Sequence, residues 1–493
     1  MRPKLVSLAV GLITAIGLSA APLTTAGAAP VGALTTSPAD PASRTTSVTQ
    51  VTSETSRSQV TSEVTSHNSS GAINQTIVQT SGTGGPTDEA SDTTLIRYVT
   101  LVTGDRVRLA YDGDEAPRVG VTPAEGRQQM TFAVKRKGDE VSVVPSDAAP
   151  LVANGRVDPR LFQVTSLVEQ GYDDASTDQL PLIAEQSPGS SDTLLGLVSI
   201  APLKKNAGKL WASLTDTVGV TLNGSALEGL GDIVASAKLE RLWLDGQVQA
   251  PRRAGTAPDP TAAAPLTRTS VPTNGKVRVA LVDSGVDATH PDLRGAVVAQ
   301  RDFTAPRERA TDGMGHGTHV ASAIVGDGAA SNGRYRGLAA GTGTELVVAK
   351  VLDDNGTGAE SDVIAGMEWA VAQGAKIVNM SLGRLERSDG TDPVSQAINR
   401  LSSRALFVAA VGNLGPEKMA ITSPGAADHT LTVAAFDHTG KTTEFSSRGP
   451  RPGDFAAKPD IAALGVNRVG ARAEGTTFGV ALSDAYTVMS GTS

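Results

Sequence analysis

The chain has 493 residues, no cysteine and a formal net charge of -8 at pH 7. A chain of this length exceeds what one hydrophobic core usually organises, so at least two folded units are expected. The lack of cysteine excludes disulfides, a thiol nucleophile and thiolate metal sites, and the acidic balance argues against a nucleic-acid partner because no basic excess is present to neutralise phosphates.

The N-terminus has the organisation of an export signal. Arg2 and Lys4 precede an apolar run over 5–18, and the small residues 26–28 follow it. This order of positive, apolar and small residues is typical of a secretory signal peptide. The run is shorter than the roughly 20 apolar residues that a membrane-spanning helix needs. We therefore predict a signal peptide over 1–28, a secreted protein and no membrane partner.

The segment 29–94 is rich in Ser and Thr and nearly free of large apolar residues, and it repeats the pentapeptide QVTSE at Gln50 and Gln59. Such a composition buries too little apolar surface to offset the entropy lost on ordering. We predict a disordered spacer here. A glycosylated or wall-associated stalk is the alternative interpretation.

Globular composition begins at residue 95. Strand-like runs cover 97–103, 107–110 and 141–144, with Asp105 in a turn between the first two. We predict a small α+β domain over 95–250. The following segment, 251–274, is rich in Pro, Ala and Thr and indicates a flexible junction.

From residue 275 to 493 strand and helix patterns alternate. Predicted strands cover 277–283, 346–351, 377–380, 405–410 and 431–435, and predicted helices cover 316–325, 361–373 and 394–404. Apolar strands separated by helices indicate an α/β fold with a doubly wound, mostly parallel sheet buried on both faces. Ligands of such sheets bind beyond the carboxyl ends of the strands. Asp283, Ser381 and Asn413 all lie at or just after predicted strand ends.

Three segments supply an acid, a base and a nucleophile in that order: DSG at Asp283, HGTHVA at His316 and GTS at Ser493. A serine hydroxyl needs a histidine to take its proton, and that imidazole needs a carboxylate to hold its tautomer. We choose His316 as the base because flanking glycines would let a substrate backbone approach the ring. His319, on the same predicted helix, is interpreted as a packed residue.

A base and a nucleophile do not stabilise the negative charge that develops on the attacked carbonyl oxygen. Hydrogen-bond donors fixed at that position usually make the largest single contribution to the rate enhancement. Asn413 directly follows an apolar strand and is our candidate donor, with the backbone N–H of Ser493 as the second. A turn-forming asparagine next to Gly412 is the alternative interpretation.

The order of these motifs and the residues around them resemble the subtilisin-like serine proteases, in particular the actinobacterial members with long propeptides. The resemblance implies a secreted, monomeric endopeptidase that hydrolyses polypeptides through an acyl-enzyme and is made as a zymogen. It makes 95–250 a propeptide that inhibits its own catalytic domain and 251–274 the region of the maturation cut. Two substrate-binding segments are implied: Ser381, Leu382 and Gly383, and Ala410, Val411 and Gly412.

The chain departs from that family at its end. The family continues past the G-T-S serine with Met-Ala and a buried helix, whereas this sequence stops at Ser493. A terminal carboxylate there would add negative charge beside the oxyanion. We therefore expect the chain as written to be a truncated fragment with little activity, and a non-catalytic binding or inhibitory scaffold is the alternative function.

No cofactor is expected from the sequence. Asp292 resembles a position that ligates calcium in some members of the family, but the rest of such a site is not recognisable here. A structural calcium ion is therefore left unassigned.

Overall fold

The computed structural model describes residues 60–66, 74–81, 94–113, 116–177, 180–186, 197–200, 239–250, 276–305 and 309–493. The predicted signal peptide and the whole of the predicted junction over 251–274 lie outside these residues, as does most of the predicted spacer. Within the described part of the chain, no helix has both the length and the apolar composition needed to cross a bilayer.

Within the described residues, the N-terminal unit contains short strands and two short helices. Its strands are β1 Val60–Ser66, β2 Asn74–Ser81, β3 Leu95–Thr100, β4 Arg106–Tyr111, β5 Arg118–Thr122, β6 Thr131–Lys137, β7 Glu140–Pro145, β8 Leu182–Gln186, β9 Leu197–Ile200, β10 Leu239–Leu244 and β11 Gln247–Gln249, and its helices are α1 Ala149–Ala153 and α2 Val164–Glu169. The strands form antiparallel sheets in the orders β1-β2-β6-β7, β3-β4-β5 and β10-β8-β9. This mixture is of the α+β kind.

Alternating side chains of these strands meet in one core. Val99, Leu109, Phe132 and Val143 are buried there together with Phe162 from the turn before α2. Polar and charged residues occupy the intervening positions of the strands, as expected for sheets with one solvated face. The N-terminal unit thus has a hydrophobic core of its own.

The strands β1 and β2 lie inside the segment 29–94, for which composition predicted a disordered spacer. They form an antiparallel hairpin, and β2 continues the pairing onto β6. Their sequences, VTSEVTS and NQTIVQTS, are rich in the β-branched residues that favour strands. The edge of β6 supplies backbone partners that composition alone does not reveal.

The C-terminal unit is built around a seven-stranded sheet. Its strands are β12 Arg278–Asp283, β13 Val297–Asp302, β14 Glu345–Lys350, β15 Thr357–Ala359, β16 Ile377–Met380, β17 Leu406–Ala410, β18 Thr430–Phe436, β19 Ile461–Leu464, β20 Arg468–Ala471, β21 Val480–Ala481 and β22 Tyr486–Met489, and its helices are α3 His316–Val325, α4 Glu360–Ala372 and α5 Pro393–Leu401. The sheet order is β13-β14-β12-β16-β17-β18-β19. All its neighbouring strands pair in parallel, which confirms the predicted α/β class.

Apolar side chains cover both faces of this sheet. In β12, Ala280 and Val282 point into the cluster that packs under α4 and α5, whereas Val279 and Leu281 point into the cluster under α3. The same alternation occurs in β14. Because both faces are closed by helices, polar groups of this sheet are concentrated at its ends, and the carboxyl edge carries Asp283, Ser381 and Asn413.

The packing of side chains against the central sheet can be tested at Phe407. Phe407 in β17 is fully buried in the cluster under α4 and α5, whereas Phe455 is 65% exposed. Phe407→Ala should lower the free energy of unfolding by about 3–5 kcal/mol, because it removes a large buried ring and leaves a cavity. Phe455→Ala, the matched control, should change it by less than about 0.5 kcal/mol. Thermal or urea denaturation measures both, and equal effects would contradict this core assignment.

Candidate active site

Asp283 and His316 form a buried ion-pair contact at the carboxyl edge of the sheet. Asp283 is the last residue of β12, and His316 is the first residue of α3. His316 Nδ1 lies 2.7 Å from Asp283 Oδ1, and because a carboxylate only accepts, the imidazole donates. The same oxygen accepts a bond from Ser284 N at 2.7 Å. The structure thus brings together the predicted acid and base.

The start of α3 lies against the loop that follows β12. A Cβ on Gly317 would come within 2.1 Å of the Gly285 carbonyl oxygen, so only glycine permits this approach. Sequence reasoning assigned the glycines beside His316 to substrate access. For Gly317 the close neighbour is instead the chain's own backbone, and the contact fixes the helix that carries His316.

Asp312 is a positioning residue that sequence reasoning missed. Its buried carboxylate accepts bonds from the backbone N–H groups of Gly315 and Thr318 and from the hydroxyls of Ser284 and Thr318. It therefore ties the loop after β12 to the first turn of α3. The available signal was an aspartate four residues before His316 in a glycine-rich loop, a position from which a carboxylate can bond the free N–H groups of a helix start.

The charges around His316 set its protonation. Burial lowers the pKa of the His316 imidazole, but the charge and hydrogen bond of Asp283 outweigh burial and raise that pKa above its ordinary value. Burial lowers the pKa of His319 to about 4, and His319 Nε2 donates to the Arg468 carbonyl oxygen at 3.0 Å. The two histidines of α3 therefore differ in charge over the mildly acidic range.

Asn413 and Ser493 lie close together beyond β17. Asn413 Oδ1 accepts bonds from Thr492 N at 3.1 Å and from Thr492 Oγ1 at 2.9 Å. Within the described residues, the buried Asn413 Nδ2 has no hydrogen-bond partner. A Cβ placed on Gly491 would lie 3.6 Å from that Nδ2, 3.8 Å from Ser493 N and 3.9 Å from Ser493 Oγ. The Asn413 Nδ2 donor, the Ser493 backbone N–H and the Ser493 hydroxyl thus lie within 3.6–3.9 Å of one position beside Gly491.

The Ser493 hydroxyl is bonded to the end of β16. Ser493 Oγ donates to the Ser381 carbonyl oxygen at 3.4 Å, and Ser381 Oγ donates to the Ser493 carbonyl oxygen at 2.9 Å. Among the described hydrogen bonds, none joins Ser493 Oγ to His316. The hydroxyl therefore lies on the same edge as the Asp283–His316 pair, in a rotamer that bonds to backbone.

The two segments assigned to substrate binding have different environments. Gly383 exchanges two backbone hydrogen bonds with Gln249 of the N-terminal unit, at 2.8 and 3.0 Å. Leu382, beside it, is buried in the cluster under α4 and α5. The backbone of Ser381–Gly383 is therefore open to an added strand, and β11 takes that position.

The segment of Ala410, Val411 and Gly412 is bonded within the fold. Val411 N donates to the Val433 carbonyl oxygen and the Val411 carbonyl oxygen accepts from Thr422 N. The Gly412 carbonyl oxygen accepts from Ser447 N at 3.0 Å. These backbone groups serve the fold, so this segment offers a packed wall and not a free strand edge.

Both carboxylate oxygens of Asp292 are hydrogen-bonded within the fold. Its Oδ1 accepts a bond from Ala330 N at 2.8 Å, and its Oδ2 accepts one from the Tyr486 hydroxyl at 2.8 Å. Both carboxylate oxygens thus serve internal donors. In the described ranges of the chain, no group of three or more His, Asp or Glu residues is placed to hold a metal ion.

Comparisons with known proteins show what the chain is similar to. Residues 274–493 match the model of the Subtilase family, Peptidase_S8. The serine protease AprX of Bacillus subtilis (strain 168) is 30% identical over 342 residues, covering 64% of this chain and 75% of that protein. A subtilisin of Bacillus sp. (strain TA39) is 36% identical over 237 residues, and the chain spans 53% of its length with 44% of its own. Among solved structures, Sphericase is 32% identical with a TM-score of 0.38, over 46% of this chain and 75% of that one.

The Asp283–His316 contact predicts a titration order. The pKa of His316 should lie above the ordinary histidine value of 6.5. His319 should stay neutral until the pH falls to about 4. Asp283→Asn should lower the pKa of His316 below 6.5, because burial remains while the stabilising charge is lost. Imidazole NMR shifts measure both histidines, with His319 as the internal control. Titration of His316 below 6.5 in the unmodified protein would contradict the buried pair.

Proposed function

Since the chain belongs to the subtilase family of serine proteases, we propose that it is an endopeptidase in which Asp283, His316 and Ser493 hydrolyse peptide bonds through an acyl-enzyme. The observation that carries this proposal is the buried 2.7 Å contact between Asp283 and His316 at the sheet edge that also holds Ser493. A carboxylate that orients an imidazole near a serine hydroxyl is the arrangement nucleophilic catalysis by serine needs.

Attack starts when the Ser493 hydroxyl turns from the Ser381 carbonyl towards the free Nε2 of His316. As Ser493 Oγ bonds to the substrate carbonyl carbon, its proton passes to Nε2. Asp283 stabilises the imidazolium that forms and itself stays ionised. The raised pKa of His316 favours this charged intermediate over the neutral ring.

The negative charge that develops on the carbonyl oxygen needs donors in place beforehand. Asn413 Nδ2 is held by the bonds that Thr492 makes to the amide oxygen, and it is unpaired among the described residues. We assign it, with the backbone N–H of Ser493, to the oxyanion. Such preorganised donors pay no reorganisation cost at the moment of reaction.

The remaining steps complete hydrolysis. The imidazolium gives its proton to the leaving amine, the C–N bond breaks, and the acyl group stays on Ser493 Oγ. Water then loses a proton to His316 and attacks the ester, which releases the carboxylic acid and restores the hydroxyl. Extended polypeptides are the substrate class, because Ser381–Gly383 presents a strand edge that a peptide backbone can pair with, beside the packed wall of Ala410–Gly412.

We further propose that the N-terminal unit acts as an inhibitory propeptide. Its strand β11 pairs antiparallel with β15 and bridges to Gly383, where a substrate would lie. Ile183 and Trp243 of the same unit belong to the apolar cluster under α4 and α5. The pairing of β11 with β15 and Gly383 and the apolar burial of Ile183 and Trp243 both support this proposal. In it, the N-terminal unit occupies the groove between β15 and Gly383 where a substrate would bind.

Buried charges also join the two units. Arg160 extends from the N-terminal unit to Glu360 at the first turn of α4, with Nη2 3.1 Å from Glu360 Oε2. Asp245 accepts bonds from Ser361 N and Ser361 Oγ at the same helix start, where the N-terminal helix dipole favours a carboxylate. Release of the N-terminal unit would leave these partners to solvent.

The zymogen interpretation extends to location and maturation. The N-terminal sequence supports export, and the Pro- and Thr-rich junction over 251–274 is the proposed region of the maturation cut. We propose that the mature enzyme acts outside the cell as a monomer.

Labelling by a fluorophosphonate tests the nucleophile. In a form of the protein that continues past Ser493, this residue should be modified, and Ser493→Ala should abolish both labelling and hydrolysis of a casein substrate. Ser483→Ala, which removes an exposed serine ten residues earlier, should change neither. Failure of Ser493 to react would reject the enzyme and favour a non-catalytic scaffold.

Two substitutions separate the roles of Asn413. Asn413→Ala should lower kcat by about 10²–10³, the typical cost of one lost oxyanion donor, for which subtilisin itself is the reference case. Asn413→Asp keeps the oxygen that Thr492 bonds but replaces the donor, so it should lower kcat at least as much. An Asn413→Asp variant with normal kcat would show that the residue acts only on the fold.

If the charged contact between the units helps to keep the N-terminal unit bound, its removal should make Ser493 accessible more quickly. Removal of one partner of a buried ion pair costs about 3–5 kcal/mol, so Arg160→Met and, from the other side, Glu360→Gln should each raise the labelling rate of Ser493 in the unprocessed protein at least tenfold. Arg118→Met, which removes an exposed arginine paired with Asp112, should have little effect. Unchanged rates in both buried-pair variants would contradict inhibition by this contact.

A further inference from the structure

The loop over 472–479, which joins β20 to β21, lies against the start of α3. A Cβ placed on Gly315, the residue before His316, would lie 2.7 Å from Thr476 Oγ1 and 3.7 Å from Phe478 Cβ. Gly315 has a φ of 105°, a backbone conformation that favours glycine. The β20–β21 loop therefore packs directly beside the proposed base.

The side chain of Phe478 is the part of this loop that meets the imidazole. The ring centroids of Phe478 and His316 are 5.8 Å apart and the ring planes are inclined by 82°, an edge-to-face arrangement that aromatic pairs favour. Phe478 is half-buried and also packs against the apolar cluster under α4 and α5, whereas His316 is only 3% exposed. A half-buried ring in contact with a buried one separates that side of the imidazole from solvent.

Hydrogen bonds hold the β20–β21 loop on both sides of Phe478. Before it, Glu474 N donates to Asp287 Oδ2 at 3.2 Å, and Asp287 belongs to the loop after β12. After it, the Phe478 carbonyl oxygen accepts a bond from Thr487 Oγ1 of β22 at 3.1 Å, and β22 is the strand that leads to Ser493. The loop is thus tied to the two segments that carry the proposed acid and nucleophile.

The bond to Asp283 alone does not fix the imidazole. One hydrogen bond at Nδ1 holds one edge of the ring but leaves its tilt free, so a packed neighbour is needed to hold the plane of the ring. The attraction between an imidazolium and a carboxylate also grows as water is excluded from the pair. An apolar ring against His316 meets both needs.

We propose that Phe478 is a positioning residue that acts through His316: its ring holds the imidazole in the orientation bonded to Asp283 and keeps water away from the pair. The catalytic consequence of this inference rests on the proposed endopeptidase function, whereas the positioning itself can be measured without turnover. The side chain of Phe478 has no polar atom and takes no part in proton transfer. Its effect on the reaction is exerted through the base alone.

Exchange of the His316 Nδ1 proton with water, followed by proton NMR, tests the positioning. Phe478→Ala should raise the exchange rate at least tenfold, because water reaches the ring and the bond to Asp283 opens more often. Phe478→Leu, which keeps an apolar side chain in place, should raise it less than threefold. Thr477→Ala, at the exposed neighbouring position, is the matched control and should leave it unchanged. An unchanged rate in Phe478→Ala would overturn the proposal.

A second variant separates positioning from a loss of fold stability. Phe407→Ala should destabilise the fold at least as much as Phe478→Ala, because Phe407 is fully buried and Phe478 only half-buried. It should nevertheless raise the exchange rate of the His316 Nδ1 proton less than threefold. If Phe407→Ala raises this rate as much as Phe478→Ala does, Phe478 acts only on stability and the proposal is wrong.

Kinetics test the catalytic consequence in the form that continues past Ser493, with active enzyme counted by fluorophosphonate labelling. Phe478→Ala should lower kcat at least tenfold and change KM less than threefold, because a misplaced base affects the transition state and not substrate binding. A raised KM with unchanged kcat would show that Phe478 contacts substrate and would reject the positioning role. If Ser493 does not react while the exchange rate still rises in Phe478→Ala, the proposed function fails and the positioning of His316 by Phe478 stands.

Discussion

The contact between Asp283 and His316 is the interaction on which the rest of this edge of the molecule depends. An ionised carboxylate removed from water is costly unless a partner and hydrogen bonds compensate for the lost hydration. Asp283 Oδ1 meets this requirement with the imidazole and with Ser284 N, whereas the buried Oδ2 has no hydrogen-bond partner among the described residues. The requirement in turn fixes the loop after β12 and the start of α3, which Asp312 binds together. The arrangement that stabilises the buried charge therefore also fixes the position of the His316 imidazole at this edge of the sheet.

The parallel sheet explains why residues far apart in the chain meet. Its strands are covered on both faces by apolar side chains, so polar side chains are concentrated at the strand ends. The sheet places three strands side by side: β12, β16 and β17. Their carboxyl ends carry or directly precede Asp283, Ser381 and Asn413, respectively. Only the short segment ending at Ser493 has to reach this edge from elsewhere, and it does so by bonds to Ser381 and Asn413.

The groove combines two kinds of recognition. Backbone hydrogen bonds to β15 and Gly383 hold β11 of the N-terminal unit, and bonds of this kind do not depend on particular side chains. Buried groups beside the groove, such as the pair of Arg160 with Glu360, add contacts that only the N-terminal unit can make. A peptide shares the first kind of contact and lacks the second. In the proposed zymogen, this difference would let the N-terminal unit block the groove at first and let peptides enter it after release of that unit.

Local sequence determined most of the C-terminal unit. Apolar runs and helical periodicity gave strands β12, β14, β16, β17 and β18 and helices α3, α4 and α5 with ends shifted by at most three residues, because burial on both faces leaves a regular apolar pattern. The same patterns placed Asp283 and His316 at element ends, and the structure joins them. The edge strands β13 and β19 were not predicted, since partly exposed strands carry mixed residues. The hairpin of β1 and β2, the role of Asp312 and the docking of β11 were decided by tertiary structure alone. Each of these depends on hydrogen-bond partners distant in the chain, and a local pattern of residue types carries no information on which backbone edges remain free to pair.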